Sequence, residues 1–468
     1  MSALCLRSAC ELVAGIRRGQ ISALELMQAY WRRIEELNPK LHAIVTLVPV
    51  EQALEAASAA DRAVSRGERT GLLHGLPIAI KDLMDVAGMR TTFGSKVHAN
   101  HVPARDCVLA EKLRRAGAII IGKTNTPEHG LGTLTFNELF GTTLNPWDPA
   151  RHAGGSSGGA AAAVAAGMLP FADGSDSGGS IRYPAAFCNI VGLRPSPGRV
   201  PTGRPGDGWS PHGVLGPMAR NVRDVGLLLA AIAGHDKRSP IALDGEPGVF
   251  ADLRPRSLRG VRIAWSRTAA GLPIDPQISG VLEAARSQLL ELGCVVQDLE
   301  PDLHEADACW EIIEMHEFFA YCAAEVRAHG ASMRRDLVRN VEAGAALTAE
   351  QIAWATAART ELYRRTARLL EQFDILALPA TPVPAPPAHA QWVEEINGIP
   401  LQRYFEWQRC ATRITVTAHP ALSLPAGFTP DGLPVGLQLV GRYRDELSLL
   451  EFAATYEDAT GWVLRTPP

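Results

Sequence analysis

Two glycine-rich runs near the middle of the chain decide its interpretation: Gly154-Gly155-Ser156-Ser157-Gly158-Gly159 and Gly174-Ser175-Asp176-Ser177-Gly178-Gly179-Ser180-Ile181-Arg182. Each run holds a serine flanked by glycines, Ser156 and Ser180. Glycine lets the backbone turn tightly, so a hydroxyl and nearby backbone N–H groups can be presented together. A serine nucleophile and its oxyanion hole need that combination. The runs therefore predict a site for nucleophilic catalysis.

A third element lies upstream, in the segment Gly75 to Asp82, where Lys81 follows a short apolar run. No histidine stands at an obvious position to serve as a base, so Lys81 is the candidate. A surface lysine is the ordinary alternative, and a Schiff-base lysine is the chemical one. Burial after Ile78-Ala79-Ile80 would disfavour the charged amine, and a neutral amine can accept a proton. Together these residues indicate a Ser-Ser-Lys hydrolase.

The run from Gly154 to Gly159 has two other interpretations. A flexible linker would need polar, structureless flanks, but the run leads into alanine-rich sequence. A phosphate-binding loop would end in Gly-Lys-Ser or Gly-Lys-Thr, which is missing here. The run fits best as the entry to a helix that carries a catalytic hydroxyl.

Composition excludes several classes of protein. The 468 residues are 46% apolar and 21% charged, which is normal for a globular chain with a large core. A net charge of −4 without a basic block argues against a nucleic-acid partner. The first residues show no signal-peptide pattern, and the longest apolar stretch, Ala160 to Ala166, is too short to cross a membrane.

The eight cysteines are scattered and form no Cys-x-x-Cys pair. They suggest neither a disulfide framework nor a zinc site, and free thiols are typical of a reducing cytoplasm. No cluster of His, Cys, Asp and Glu has metal-ligand spacing either. We therefore expect a cytoplasmic protein that uses no metal and no cofactor.

Periodicity predicts short strands that alternate with helices, which is typical of an α/β layered body. One large α/β/α domain with a mixed central sheet is expected over 1–468. Within it, 1–70 is predicted to form a peripheral helical hairpin. Helices are predicted at 22–38, 51–66, 106–116, 158–168, 276–292, 305–329, 349–372 and 445–457, and strands at 77–80, 118–121, 261–265, 375–378, 421–424 and 436–440.

Over nearly its full length the chain resembles the amidase signature family of serine hydrolases. The matching motifs, besides the runs quoted above, are Gly122 to Glu128, Asn145 to Asp148, Asp176 to Gly192, Gly216 to Arg220 and Gly432 to Gly441. The resemblance places the catalytic core at 74–220 and a variable substrate-pocket region at 301–410.

By that resemblance Lys81 is the base, Ser156 the proton-relaying serine and Ser180 the nucleophile that forms an acyl-enzyme. The peptide bond before Ser156 is expected to be cis. The implied oxyanion donors are the backbone N–H groups of Ser177, Gly178, Gly179 and Ser180. Asp176 and Arg182 are expected to support the loop.

Departures from the family pattern leave the three catalytic positions intact. The departing residues are Asp173, Ser175, Ser177, Asn189 and Arg194. Asp173 stands where an apolar residue is usual, and a buried acid there would need a partner that the sequence does not identify.

The expected substrate is a small-molecule amide. Gly130-Leu131-Gly132 is predicted to contact it. Aromatic residues in the least family-like segments favour an apolar or aryl acyl group over a charged one, if some of them line the cleft. These residues are Trp310, Phe318, Phe319, Tyr321, Trp392, Tyr404, Phe405 and Trp407.

Other functions stay open at this point. One alternative is the catalytic component of a glutamine-dependent aminoacyl-tRNA amidotransferase, which would need a partner protein. Others are a carbamate or ester hydrolase on the same triad and a non-catalytic binding protein that retains the fold. A homodimer is kept as an option for the assembly.

Overall fold

The structure is a computed structural model that describes residues 3–203 and 207–468. The predicted single α/β domain is confirmed, and each helix and strand predicted from the sequence is present within a few residues of its expected bounds. The helices are α1 (Ala9–Arg17), α2 (Ala23–Leu41), α3 (Val50–Ser65), α4 (Val108–Arg115), α5 (Gly158–Ala165), α6 (Arg182–Phe187), α7 (Val222–Ile232), α8 (Pro276–Glu291), α9 (Ala306–His329), α10 (Arg335–Ala345), α11 (Ala349–Gln372), α12 (Arg409–Thr415) and α13 (Glu446–Thr460).

The strands form one large sheet, one three-stranded sheet and two small hairpins among the described residues. They are β1 (Ile44–Leu47), β2 (Pro77–Lys81), β3 (Ile119–Thr124), β4 (Phe136–Asn137), β5 (Gly141–Thr142), β6 (Phe171–Asp176), β7 (Val191–Arg194), β8 (Val214–Ala219), β9 (Arg262–Trp265), β10 (Val295–Asp298), β11 (Ile375–Pro379), β12 (Glu395–Ile396), β13 (Ile399–Pro400), β14 (Ala421–Phe428) and β15 (Pro434–Val440).

The large sheet has the strand order β10-β9-β11-β15-β14-β7-β8-β6. The pairs β10–β9 and β9–β11 are parallel, and the remaining neighbours are antiparallel, so the sheet is mixed as predicted. In β15 every residue is buried, although consecutive side chains point to opposite faces. Both faces of the sheet are therefore covered, which gives the expected layered architecture.

The smaller sheet has the order β1-β3-β2 and places the candidate base. The central strand β3 is antiparallel to β1 and parallel to β2, whose last residue is Lys81. The segment 1–70 is thus more than a helical pair, because β1 lies between α2 and α3 and joins this sheet. Strand β1 was hard to predict, because it has only four residues and follows closely on a long helix.

Helix α5 begins immediately after the Ser156-Ser157 pair, as predicted. All eight of its residues are buried, which explains its glycine and alanine composition. A Cβ atom at Gly159 would lie only 2.3 Å from the backbone nitrogen of Asn125. The small residues therefore let the helix approach β3 and hold the serine pair close to β2.

Among the helices of the described chain, none combines the length and the apolar composition that a membrane crossing requires.

Candidate active site

Lys81 lies at the end of β2 with its side chain completely buried. Three serine hydroxyls surround its amine: Nζ lies 2.7 Å from Oγ of Ser156, 2.8 Å from Oγ of Ser157 and 2.9 Å from Oγ of Ser175. We call these four residues the Lys81 site. The structure therefore brings the predicted base together with the predicted relay serine.

The surroundings of Lys81 suit both protonation states of a lysine. An ammonium group donates three hydrogen bonds, and three hydroxyl oxygens stand ready to accept them. A neutral amine donates two and can accept one from a hydroxyl. All three hydroxyls are within reach to give that proton, and Ser156 is one of them at 2.7 Å. The site can thus exchange a proton between a lysine and a serine without leaving a buried polar group unpaired.

Ser156 follows a cis peptide bond from Gly155, as the resemblance implied. A Cβ atom at Gly155 would lie 2.8 Å from the backbone of Leu134, so only glycine fits there. The backbone N–H of Ser157 donates to the carbonyl oxygen of Ser180 over 3.1 Å. This bond ties the two predicted catalytic segments side by side.

Asp176 organises the loop that carries Ser180. Its carboxylate accepts hydrogen bonds from the backbone N–H groups of Gly179 and Ile181, each over 3.1 Å. Arg182 donates to both carboxylate oxygens, over 3.0 and 2.7 Å. Burial alone would raise the pKa of Asp176, but Arg182 and then Arg194 outweigh it and hold the pKa well below its usual range. The expected supporting role of Asp176 and Arg182 matches these contacts.

The predicted oxyanion donors differ in their availability. Gly179 donates its backbone N–H to Asp176, and this bond competes with any role in an oxyanion hole. For Ser177, Gly178 and Ser180, the hydrogen bonds between described residues include none from the backbone N–H. These three groups are therefore the better placed donors for a developing negative charge.

Asp173 finds the partner that the sequence left unidentified. Its Oδ1 accepts the backbone N–H of Lys81 over 3.0 Å, while Oδ2 has no hydrogen-bond partner among the described residues. Burial raises the pKa of Asp173 to about 6, although the bond from Lys81 and the charge of Lys123 oppose the shift. The Asp173 carboxyl group is therefore in direct contact with the backbone that carries the Lys81 side chain.

Ser156 and Ser180 open on one cavity of about 250 Å³. Ser175, Ser177 and Gly130 also line it, and a Cβ atom at Gly130 would lie 3.6 Å from Oγ of Ser156. Five further residues that line the cavity belong to α9, and we call this set the α9 wall. The α9 wall consists of Glu314, Glu317, Phe318, Tyr321 and Cys322.

The other predicted substrate residues lie elsewhere. Leu131 and Gly132 line a separate small cavity with Tyr404 and Trp407. Trp310 instead donates its indole N–H to the carbonyl oxygen of Ser177 over 2.9 Å, so it braces the loop before Ser180. Of the eight aromatic residues selected from the sequence, Phe318 and Tyr321 are the two that line the main cavity in the described chain.

Sequence reasoning missed three kinds of residue at this site. Ser157 was visible beside Ser156, and Ser175 was visible as a departure from the family pattern, but neither was connected with Lys81. The carboxylates Glu314 and Glu317 gave no local signal, since they only share a helix face. Their partners are His212, at 2.8 Å from Glu314, and Ser210, which donates to Glu317.

A family model described as Amidase matches residues 25–450 of the chain. The chain belongs to the Amidase family. It is an amidase, a hydrolase of C–N amide bonds, and the resemblance found in the sequence is confirmed.

Relatives of known description span almost the whole chain. A glutamyl-tRNA(Gln) amidotransferase subunit from Thermosynechococcus vestitus is 37% identical, with 98% of each chain covered. The acylamidase of Rhodococcus erythropolis is 33% identical, with 98% of this chain and 97% of that one covered. Among solved structures, a bacterial aryl acylamidase of the amidase signature family has a TM-score of 0.91 at 29% identity, covering 98% of this chain and 97% of that chain.

Proposed function

We propose that this amidase hydrolyses a small apolar or aryl amide through an acyl-enzyme on Ser180 and releases ammonia or an amine. The observation that carries the proposal is the Lys81 site: a buried amine lies within 2.9 Å of three serine hydroxyls, and Ser156 shares a cavity with Ser180.

Proton transfer starts at Lys81. The neutral amine takes a proton from Ser156, which in turn takes the proton of Ser180 as the Ser180 oxygen attacks the amide carbonyl. Backbone N–H groups of Ser177, Gly178 and Ser180 stabilise the oxyanion of the tetrahedral intermediate. Returning the proton through Ser156 to the leaving nitrogen releases the amine, and water then cleaves the acyl-enzyme by the same route.

The cavity supports an uncharged acyl group. Leu83 and Phe93 line it together with Phe318 and Tyr321 of the α9 wall. Glu314 and Glu317 face the same space, so an anionic substrate would meet two carboxylates of like charge. The position of the α9 wall also supports 301–410 as the substrate-pocket region and 74–220 as the catalytic core.

The amidotransferase alternative needs a pocket for glutamine, whose α-carboxylate requires a cationic or strongly donating partner. Among the described residues that line the cavity, none is arginine or lysine. This favours a simple amide over glutamine, although a relative that carries the amidotransferase name is 37% identical. A carbamate or ester would use the same acyl-enzyme route.

Labelling of the nucleophile tests the proposal. A fluorophosphonate probe should label wild-type protein at Ser180, and Ser180→Ala should lose both the labelling and the turnover of aryl amides. Labelling of Ser156 instead would reverse the two serine assignments. Turnover measured on a panel of aryl amides, aliphatic amides, carbamates and glutamine then separates the substrate classes. A preference for glutamine would contradict the proposal that the substrate is an apolar or aryl amide.

A pH–rate profile recorded in chelator tests the base and the metal-free mechanism together. The acylation rate should rise with pH to an alkaline plateau, since protonation of Lys81 removes the base. A rate that falls as pH rises through neutrality would exclude Lys81, and loss of activity in chelator would contradict the metal-free mechanism.

The proposed setting of the enzyme is the cytoplasm. All eight cysteines are free thiols, which supports that location. The proton transfers between Ser180, Ser156 and Lys81 require no cofactor. A homodimer remains a prediction, and light scattering on the purified chain measures it directly.

A further inference from the structure

Three potential ligand atoms converge beside the cavity, outside the Lys81 site. Nε2 of His98 lies 3.0 Å from Oε1 of Glu325, and Nε2 of His129 lies 3.1 Å from the same oxygen. All three atoms lie within 4.8 Å of one another. His129 itself lines the cavity, and Glu325 extends from α9 one turn beyond Cys322.

We propose that His98 Nε2, His129 Nε2 and Glu325 Oε1 form a binding site for a divalent first-row transition metal ion such as Zn²⁺. No metal site was predicted from the sequence, because no cluster of His, Cys, Asp and Glu residues has metal-ligand spacing along the chain. These three residues come from three separate elements that only the fold brings together.

The distances suit coordination. Zinc binds imidazole nitrogen and carboxylate oxygen at about 2.0 to 2.2 Å, so neighbouring ligand atoms lie about 3.0 Å apart in octahedral geometry and about 3.4 Å apart in tetrahedral geometry. The two N···O distances of 3.0 and 3.1 Å match the octahedral value and are only a few tenths of an ångström shorter than the tetrahedral one. Two imidazoles and one carboxylate also form a known ligand set for such ions, and three protein ligands leave a position open for water.

The two histidines are held in place before any ion binds. Ser95, at the start of the turn Lys96–His98, donates its hydroxyl to Glu128 over 2.6 Å, which joins the two turns that carry the histidines. Phe93 stacks on the ring of His129 and meets the ring of His98 edge-on, with centroids 6.0 and 5.0 Å away. His129 has φ +49°, an uncommon conformation for a residue with a side chain.

A hydrogen-bonded cluster is the competing explanation, in which each histidine donates Nε2–H to Glu325. Metal binding would remove both Nε2 protons, so that each imidazole binds the ion as a neutral ring that carries its proton on Nδ1, and the carboxylate supplies the negative charge. The two explanations differ in one measurable respect, the affinity for Zn²⁺.

Chelator-treated, desalted protein titrated with Zn²⁺ in a calorimeter tests the proposal. The wild type should bind one equivalent. Glu325→Gln and His98→Gln should each weaken binding by more than the roughly 10- to 100-fold that loss of an outer-shell partner costs. His101→Gln is the matched control and should bind as the wild type does, because its ring lies 5.9 Å from that of His98 but outside the ligand set.

Absorption of the Co²⁺-substituted protein identifies the ligands independently of activity. Nitrogen and oxygen ligation should give d–d bands that His98→Gln abolishes, without sulfur-to-cobalt charge transfer. Absence of Zn²⁺ binding would leave a hydrogen-bonded cluster only and overturn the proposal. Binding that survives both ligand variants, or charge transfer from a cysteine, would place the ion elsewhere and overturn it as well.

Discussion

The Lys81 site and the α9 wall face one cavity but are built differently. In the Lys81 site, Lys81 is wholly buried and bonded to three hydroxyls that come from two glycine-rich runs. In the α9 wall, Phe318 and Tyr321 are only partly buried, and the five residues share one face of a single helix at spacings of three and four. The first region fixes the chemistry through bonds at short range. The second presents side chains that can change without disturbing those bonds, which suits the choice of substrate.

The largest effect is expected within the Lys81 site, where two adjacent serines should differ in role. Ser156→Ala should lower kcat for an aryl amide by about 10³- to 10⁴-fold, since it interrupts proton transfer between Lys81 and Ser180. Ser157→Ala should cost only about tenfold, because its hydroxyl supports the amine without passing on the proton. Steady-state kinetics of the two variants measures the difference. Equal losses would mean that the two serines are not distinct in role.

Gly179→Ala should give the next largest effect. It should lower kcat about 100-fold, because the added methyl group displaces the loop that carries the oxyanion donors. Its φ is +102°, and a Cβ atom would lie 2.5 Å from Cβ of Ala411. The same substitution should lower the free energy of unfolding by about 1 to 3 kcal/mol. Gly280→Ala is the control, because a Cβ atom there meets nothing within 4 Å. Kinetics and thermal unfolding check both, and a fully active Gly179→Ala would remove the loop from the mechanism.

Asp173→Asn tests the buried acid in contact with the Lys81 backbone. Because burial raises the pKa of Asp173 to about 6, the folded state binds more protons than the unfolded chain between about pH 4 and pH 6. The free energy of unfolding should therefore fall as pH rises through this window, by up to about 3 kcal/mol. Denaturant unfolding at a series of pH values should show this decline in the wild type and a weaker one in Asp173→Asn. Identical pH dependence would contradict the assignment.

The α9 wall should give the smallest effect, confined to substrate binding. Phe318→Ala should raise KM for aryl amides about tenfold and leave kcat nearly unchanged, since Phe318 lines the cavity. Phe319 is its neighbour and packs close to Gly344 of α10, so Phe319→Ala should mainly lower stability. KM measured over aryl and aliphatic amides separates the two. A large loss of kcat in Phe318→Ala would show that the wall shares in the chemistry.

The same contrast explains what the sequence could predict. The catalytic residues stand in short motifs whose glycines are required by local geometry: a Cβ atom at Gly155 or Gly159 would overlap the backbone of a neighbouring segment. Such constraints can be recognised in a single sequence. Long helices such as α9 and α11 could also be predicted, from the periodicity of their apolar residues.

The remaining features depend on contacts between distant segments. Strand β6 has the sequence Phe-Ala-Asp-Gly-Ser-Asp, which has little strand propensity, and only pairing with β8 holds it extended. The sequence left open whether Trp310 belongs to the core or to the pocket, because helical spacing does not show which side of a helix meets a loop. In the structure Trp310 donates its indole N–H to the carbonyl oxygen of Ser177. The cluster of His98, His129 and Glu325 could not be predicted either, because its three residues come from distant segments that only the fold brings together.

The central claim is that Lys81 and Ser156 act on Ser180 as one unit. A double-mutant cycle on the rate of Ser180 acylation, with Lys81→Ala, Ser156→Ala and the double variant, tests it most directly. Each single variant should lose most of the rate, and the double variant should be little worse than the poorer single one, since groups that act together are strongly non-additive. Losses that multiply fully in the double variant would show that Lys81 and Ser156 work independently and would contradict the claim.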